Sequence, residues 1–385
     1  MPDQPPLNYV PDQLVIDSTE EAVVLPELDD LQIKYSAVET IPEFDLKLLQ
    51  LEYRADLEKK IDATPVLELD PILFELRRRF ENSNQMPFLA KNRTISSRFG
   101  ATPETQSHTD FDPAFIAPPA TPLFAPSGGR GVRIGVLDTK IAKHDKLLDH
   151  IETRSPDPYL PYLPADSYVQ LWEEGHATFV VGRILAAAPE ATVVVRHVLD
   201  RKGEAPAWDT VKALAGFLAD DVKILVLAMG CYTDDGKAPK IVARAVERLK
   251  SKMLIVAAAG NHGAVKGMKN GITKDSPTWP AALDDVTAVG AHTQTGALTE
   301  FSPRPLWVNC TALGEHVDST YLTGDVRLRE GGVVTFQGYA RWEGTSFSAA
   351  TVAGAIAVVM ARDNVDAHEA LKKAIAENGA VHKYP

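Results

Sequence analysis

The chain is nearly devoid of cysteine: Cys231 and Cys310 are the only two in 385 residues. That excludes a disulfide framework and any Cys-x-x-Cys metal pair, and both thiols read as buried free cysteines suited to a reducing compartment. Positive charge is also scarce. The 40 Lys and Arg residues stand against 52 Asp and Glu, and the net charge of −12 offers no electrostatic footprint for nucleic acid or an anionic membrane. No run approaches the roughly 18 uninterrupted apolar residues of a membrane span. The opening Met1-Pro-Asp-Gln-Pro-Pro-Leu-Asn lacks the basic and apolar regions of a secretory signal. These absences lead us to expect a cytoplasmic protein with no membrane or nucleic-acid partner. Internal repeats are absent too.

What is present divides the chain. Hydrophobic content of 45% marks it as globular. Tyr9–Asp17 and Phe44–Leu51 alternate like half-buried strands around a helix or turn at Glu20–Leu31, and Leu73–Phe80 reads as a short amphipathic helix. We expect a small α+β module over residues 1–90. From Asn82 to Gly131 the apolar periodicity lapses, and the Pro/Gly punctuation of Pro118–Gly131 predicts a linker over 91–130. Beyond it, Arg133–Asp138, Ala191–Val198, Val222–Ala228 and Met253–Ala259 are continuous apolar runs, alternating with helical patterns at Thr178–Ala187, Trp208–Ala219 and Lys240–Leu249. That alternation predicts an α/β, doubly wound, mostly parallel sheet over 131–385, with chemistry at the carboxyl ends of its strands.

Polar residues stand at those ends. Asp138 closes one apolar run, His176 opens a small-residue helix, Asn261 follows Ala257-Ala-Ala-Gly260, and Ser346 stands after Gly344 at the mouth of a helix running on through Met360. Each alone is an ordinary turn or cap residue. Together they form an Asp, His, Asn, Ser series flanked by glycine and alanine, and over roughly Gly131 to Met360 the sequence resembles the subtilisin-like serine peptidases. The family's D-[ST]-G, H-G-T-H-V-A-G, A-A-G-N and G-T-S-M-[AS]-x-P-H-V-A-G motifs match Asp138-Thr-Lys140, His176–Gly182, Ala258–Asn261 and Gly344–Gly354 in that order.

The resemblance implies a serine endopeptidase acting on peptide or protein substrates through an acyl-enzyme. Ser346 would be the nucleophile, His176 the general base, Asp138 its orienter and Asn261 a donor to the oxyanion. It further implies that Ala228, Met229 and Gly230 back an extended substrate, and that Ala258, Ala259 and Gly260 wall the first specificity pocket. No cofactor and no metal are expected, since the calcium loop of many relatives has no room between His176 and Pro189 and no acidic spacing suits calcium. Departures from the motifs are Lys140, Ala177, Phe179, Ala350 and Thr351. They motivate an alternative, a pseudopeptidase or peptide-binding protein that keeps the cleft without turnover. A third reading vests function in the N-terminal module, as an interaction domain. Relatives carry pro-segments, so this module is expected to be either a propeptide that inhibits the cleft and is cut within 82–130, making the chain a zymogen, or a retained regulatory domain.

Overall fold

The computed structural model describes residues 8–52, 69–82, 85–97, 112–119, 123–161, 169–233, 235–267, 272–329 and 331–384. The apolar runs of the second half form a sheet of eight strands, ordered Val381–Lys383, Cys310–Leu313, Val286–His292, Leu254–Ala258, Ile224–Leu227, Arg133–Asp138, Thr192–His197 and Ile151–Thr153. Neighbours are parallel except at Val381–Lys383, which is antiparallel to Cys310–Leu313. Every residue of Ile224–Leu227 and Leu254–Ala258 is buried, because both faces of the sheet are covered. Adjacent residues of one strand join opposite cores. Val226 packs toward helices His176–Ala187, Thr345–Asp363 and Ala367–Glu377, and Leu225 toward Ala207–Ala215 and Lys240–Leu249. The fold is thus α/β with a mostly parallel, doubly wound sheet.

Helix Thr345–Asp363 is long and apolar enough to cross a membrane, but 72% of its apolar window is buried and it serves as a core helix. It lies tightly against His176–Ala187 at Gly354, where a Cβ would fall 2.7 Å from the Ile184 carbonyl oxygen. Only glycine fits that crossing. Cys231 and Cys310 are buried free thiols, and burial pushes both up to about 12.

The N-terminal residues build an antiparallel sheet ordered Leu89–Ser96, Tyr9–Asp17, Leu46–Glu52 and Lys34–Ile41, extended at one edge by Glu204–Pro206 from the larger module. Helices Glu21–Asp30 and Leu69–Phe80 close a core of Val24, Leu28, Leu73 and Leu76 with Leu14 and Ile16. The other face, with Phe44, Leu46, Leu48 and Ile95, shares a core with helices Ala207–Ala215 and Lys240–Leu249. Polar contacts ring this junction: Arg244 bonds Asp17 at 3.0 Å, and the Trp208 indole donates to Glu39 at 3.1 Å beside the Lys212–Glu39 ion pair.

Strand Leu89–Ser96 lies in the tract whose sequence predicts a linker. It shows no apolar alternation because its centre is Asn92, 1% exposed, which donates to Gln13 at 2.6 Å and accepts from the Trp208 backbone at 2.8 Å. Of the expected linker, residues 98–111 and 120–122 fall outside the described residues, whereas Ala114–Phe115 pairs with Ala340–Arg341. A further sheet, built on the hairpin of Val317–Arg327 and Val333–Trp342, also lacks a counterpart in the sequence reading.

Candidate active site

Asp138 ends its strand with its carboxylate fully buried, and two kinds of donor meet it. The Thr139 backbone N–H donates at 2.7 Å, and His176 Nδ1 lies 2.9 and 2.8 Å from the two oxygens. A carboxylate only accepts, so Nδ1 carries the proton and Nε2 keeps its lone pair. Thr139 also fixes the helix that presents His176, its hydroxyl accepting from the Ala177 N–H at 3.2 Å. The imidazole is 5% exposed and sits among aromatic rings, 5.8 Å from Trp342 and 5.7 Å from Phe347 between centroids.

Ser346 is the second residue of helix Thr345–Asp363, where free backbone N–H groups and the helix dipole favour negative charge. Its hydroxyl donates to the Ala228 carbonyl at 3.2 Å. Asn261 is oriented by its neighbour in the same turn. The Thr345 N–H and hydroxyl both reach Asn261 Oδ1 at 3.0 Å, and the Thr345 hydroxyl accepts from the Gly260 N–H at 3.0 Å. A backbone N–H can only donate, so the atom facing Thr345 must be the carbonyl oxygen, and the amide nitrogen is turned away from it. Gly260 takes φ +96°, a left-handed conformation that admits the turn. The adjoining His262 is pinned as a neutral ring, its Nε2 donating to Ser276 O and its Nδ1 accepting from Tyr232, both at 2.9 Å. Burial lowers it to about 4.

His176, Asn261 and Ser346 line one cavity of about 310 Å³ together with Ser96, Ser97, Trp172, Glu173, Glu204, Arg329, Trp342 and Glu343. Of the residues expected to touch substrate, Gly230 presents its backbone and is already paired, exchanging hydrogen bonds of 2.9 Å with Ser96 in both directions. Ala228 receives the Ser346 hydroxyl, Met229 faces the opposite core, and Ala258 and Ala259 are buried at 1% and 0% exposure, off the cavity lining. Ser97 N–H donates to Gly203 O at 2.9 Å, so the end of the described N-terminal segment is bonded to two separate loops of the larger module.

Sequence reasoning did not find Ser96 and Ser97, which arrive from the N-terminal module, or Trp172 and Trp342, which stand shortly before His176 and Ser346 in the chain. The motif departures do have an order that only the fold reveals. Phe179 packs against Phe347 with ring centroids 4.3 Å apart, so this substituted position fills space beside His176. Thr351 accepts from Arg183 at 3.2 Å, and Lys140 pairs with the exposed Asp157 at 2.5 Å. Among the described residues no cluster of three or more His, Cys, Asp or Glu is placed to hold a metal.

The family model described as the subtilase family matches residues 129–381. The minor extracellular protease Epr of Bacillus subtilis is 28% identical over 265 residues, covering 65% of this chain and 36% of that protein. Subtilisin Savinase of Lederbergia lenta is 28% identical over 269 residues, covering 66% of this chain and 87% of its own. An intracellular serine protease of Paenibacillus polymyxa is 27% identical over 250 residues, covering 60% of this chain and 67% of that protein. The chain therefore spans about a third of the length of some relatives and most of others.

Proposed function

The chain belongs to the subtilase family, and from that premise we propose that it is a serine endopeptidase in which Ser346, His176, Asp138 and Asn261 carry the reaction. The Ser346 hydroxyl turns from the Ala228 carbonyl toward His176 Nε2 and attacks the substrate carbonyl carbon while Nε2 takes its proton. Asp138 holds the tautomer and stabilises the imidazolium. The Asn261 amide and the N–H groups at the start of helix Thr345–Asp363 receive the oxyanion. Collapse passes the proton from His176 to the leaving amine, and water then releases the acyl group by the same relay.

The observation that carries this reading is that Ser346, Asn261 and an Asp138-bonded His176 line a single cavity. It is tested by Asp138→Asn, which keeps the side-chain volume but favours the wrong histidine tautomer. Turnover of a quenched peptide should fall by about 10⁴-fold with the melting transition nearly unmoved. A near-normal rate would remove Asp138 from the relay, and a wild type no faster than Ser346→Ala would favour the binding-protein alternative.

The same reading makes the N-terminal module an intramolecular inhibitor that is cut off in the stretch after Ser97, because its last described strand ends at Ser96, which lines the cavity and pairs with Gly230. Intact mass should show a shortened wild type and a full-length Ser346→Ala; two full-length proteins would make it a retained regulatory domain. Acidic composition, buried free thiols and likeness to an intracellular protease favour a cytoplasmic setting.

A further inference from the structure

Three consecutive residues of strand Val317–Arg327 grip the helix that carries His176. The Ser319 hydroxyl donates to Phe179 O at 2.8 Å, the Thr320 hydroxyl donates to Thr178 O at 2.9 Å, and Asp318 O accepts from Arg183 Nη1 at 3.2 Å. Helix and strand are close here, since a Cβ at Gly182 would fall 2.2 Å from Thr320 Oγ1. The partner strand Val333–Trp342 then leads through Glu343 and Gly344 into Ser346. One hairpin therefore holds the helix of the base and delivers the nucleophile.

Arg183 closes that circuit. Its Nη2 donates to the Thr351 hydroxyl at 3.2 Å, and this hydroxyl donates in turn to Phe347 O at 2.9 Å, in the helical turn that bears Ser346. Thr351 is one of the departures from the family motif, and here it is the acceptor that joins the two helices. A guanidinium is an expensive tie. Both oxygens it bonds are neutral, its Nε is shut off from solvent without a partner, and the Asp318 carboxylate is taken up by Arg341 at 2.7 and 2.9 Å. Burial pulls Arg183 down to about 10 from an ordinary value of 12.5. A charge withdrawn from water without a counter-charge lowers stability relative to an apolar side chain of similar size. What the cation supplies is direction, because its planar fork reaches two elements at fixed angles. We propose that Arg183 is a positioning residue, which through Asp318 and Thr351 sets the Ser346 turn against His176. It stands about two helical turns past His176 and is not part of the lining of the cavity that holds Ser346, so it acts on the geometry of attack and not on substrate. This inference rests on the peptidase reading, but the placement of the turn can be read without turnover.

The test is Arg183→Met in the full-length chain, which keeps an apolar stem and removes the fork. Its urea midpoint should equal or exceed that of wild type. On a quenched peptide kcat should nevertheless fall by about tenfold or more while KM stays within about twofold. Thr351→Val should reproduce the loss of kcat, and the double variant should be no slower than the slower single one, because the two residues act as a unit. A readout independent of turnover is the His176 Cε1–H resonance, assigned with His176→Gln. The Trp342 and Phe347 rings, 5.8 and 5.7 Å away between centroids, displace that resonance, and it should move in Arg183→Met. A wild-type kcat with an unmoved resonance would overturn the inference and leave the peptidase standing. A urea midpoint that falls in step with the rate would reduce Arg183 to a plain structural tie and overturn the inference as well. No turnover by wild type would overturn the peptidase reading, and the resonance then decides: a shift in Arg183→Met keeps the positioning role, and no shift overturns both.

Discussion

One strand in each module shows a different way of being held. In the larger one, Ile224–Leu227 and Leu254–Ala258 are apolar on both faces and owe their stability to burial, which is strong but indifferent to direction. In the smaller one, the strand that enters the cleft is centred on Asn92, buried among hydrogen bonds to Gln13 and Trp208. Such bonds add modest stability but fail if the strand slides by one residue. Apolar burial thus makes the scaffold, and the polar contacts set the register that brings Ser96 onto Gly230. The smaller module is fixed by polar contacts where accuracy matters, over an apolar core it shares with helices Ala207–Ala215 and Lys240–Leu249.

The comparison can be broken most severely at Gly354. Valine there would place side-chain atoms where a Cβ already falls 2.7 Å from Ile184 O, forcing the helices of Ser346 and His176 apart. We expect a loss of about 4 kcal/mol in urea unfolding of the Ser346→Ala protein, with both modules affected. A loss below about 1 kcal/mol would mean that this crossing is not tightly packed.

Acid provides the next test. His262 titrates near 4 in the fold against an ordinary value of 6.5, because burial disfavours its charged form. The unfolded chain therefore binds the proton first as pH falls, so the stabilisation is complete above about 6.5 and is lost down to about 4, roughly 3 kcal/mol in all. Urea titrations of the Ser346→Ala protein between those pH values should show the decline, and His262→Gln in that background should reduce it, leaving the part due to His292, which burial also lowers to about 4. An unchanged slope would show that His262 is not the group responsible.

The smallest effect is expected from Asn92→Ala, which leaves the Trp208 N–H without its acceptor and costs about 1–2 kcal/mol of docking. The larger module should keep its own melting transition while the smaller is digested sooner by an added protease. Simultaneous loss of both would show that polar register and scaffold are not separable.

How far the sequence discloses this structure follows from the same contrast. Arg133–Asp138 and Leu254–Ala258 are legible because strands buried on both faces must be apolar throughout. Leu89–Ser96 is not, since Asn92 is buried through partners more than 70 residues away, which no local pattern records. The hairpin Val317–Arg327 and Val333–Trp342 is similarly hidden by its mix of buried and exposed positions. At the site, Asp138, His176, Asn261 and Ser346 stand out because each ends a strand or opens a helix among small residues. The cleft walls are illegible: Trp342 reaches the His176 ring from another sheet, and Ser96 reaches Gly230 from another module. The role of Thr345 in turning Asn261 emerges only from the hydrogen bonds, although its hydroxyl invites a plain capping assignment.

The most direct test of the central claim is treatment of the folded full-length chain with a fluorophosphonate probe, followed by mapping of the modified peptide. The account predicts covalent modification at Ser346, abolished in Ser346→Ala and reduced by orders of magnitude in His176→Ala, because the hydroxyl is a poor nucleophile without its base. Modification of His176→Ala at the wild-type rate, or a folded wild type that stays unmodified at Ser346, would contradict it.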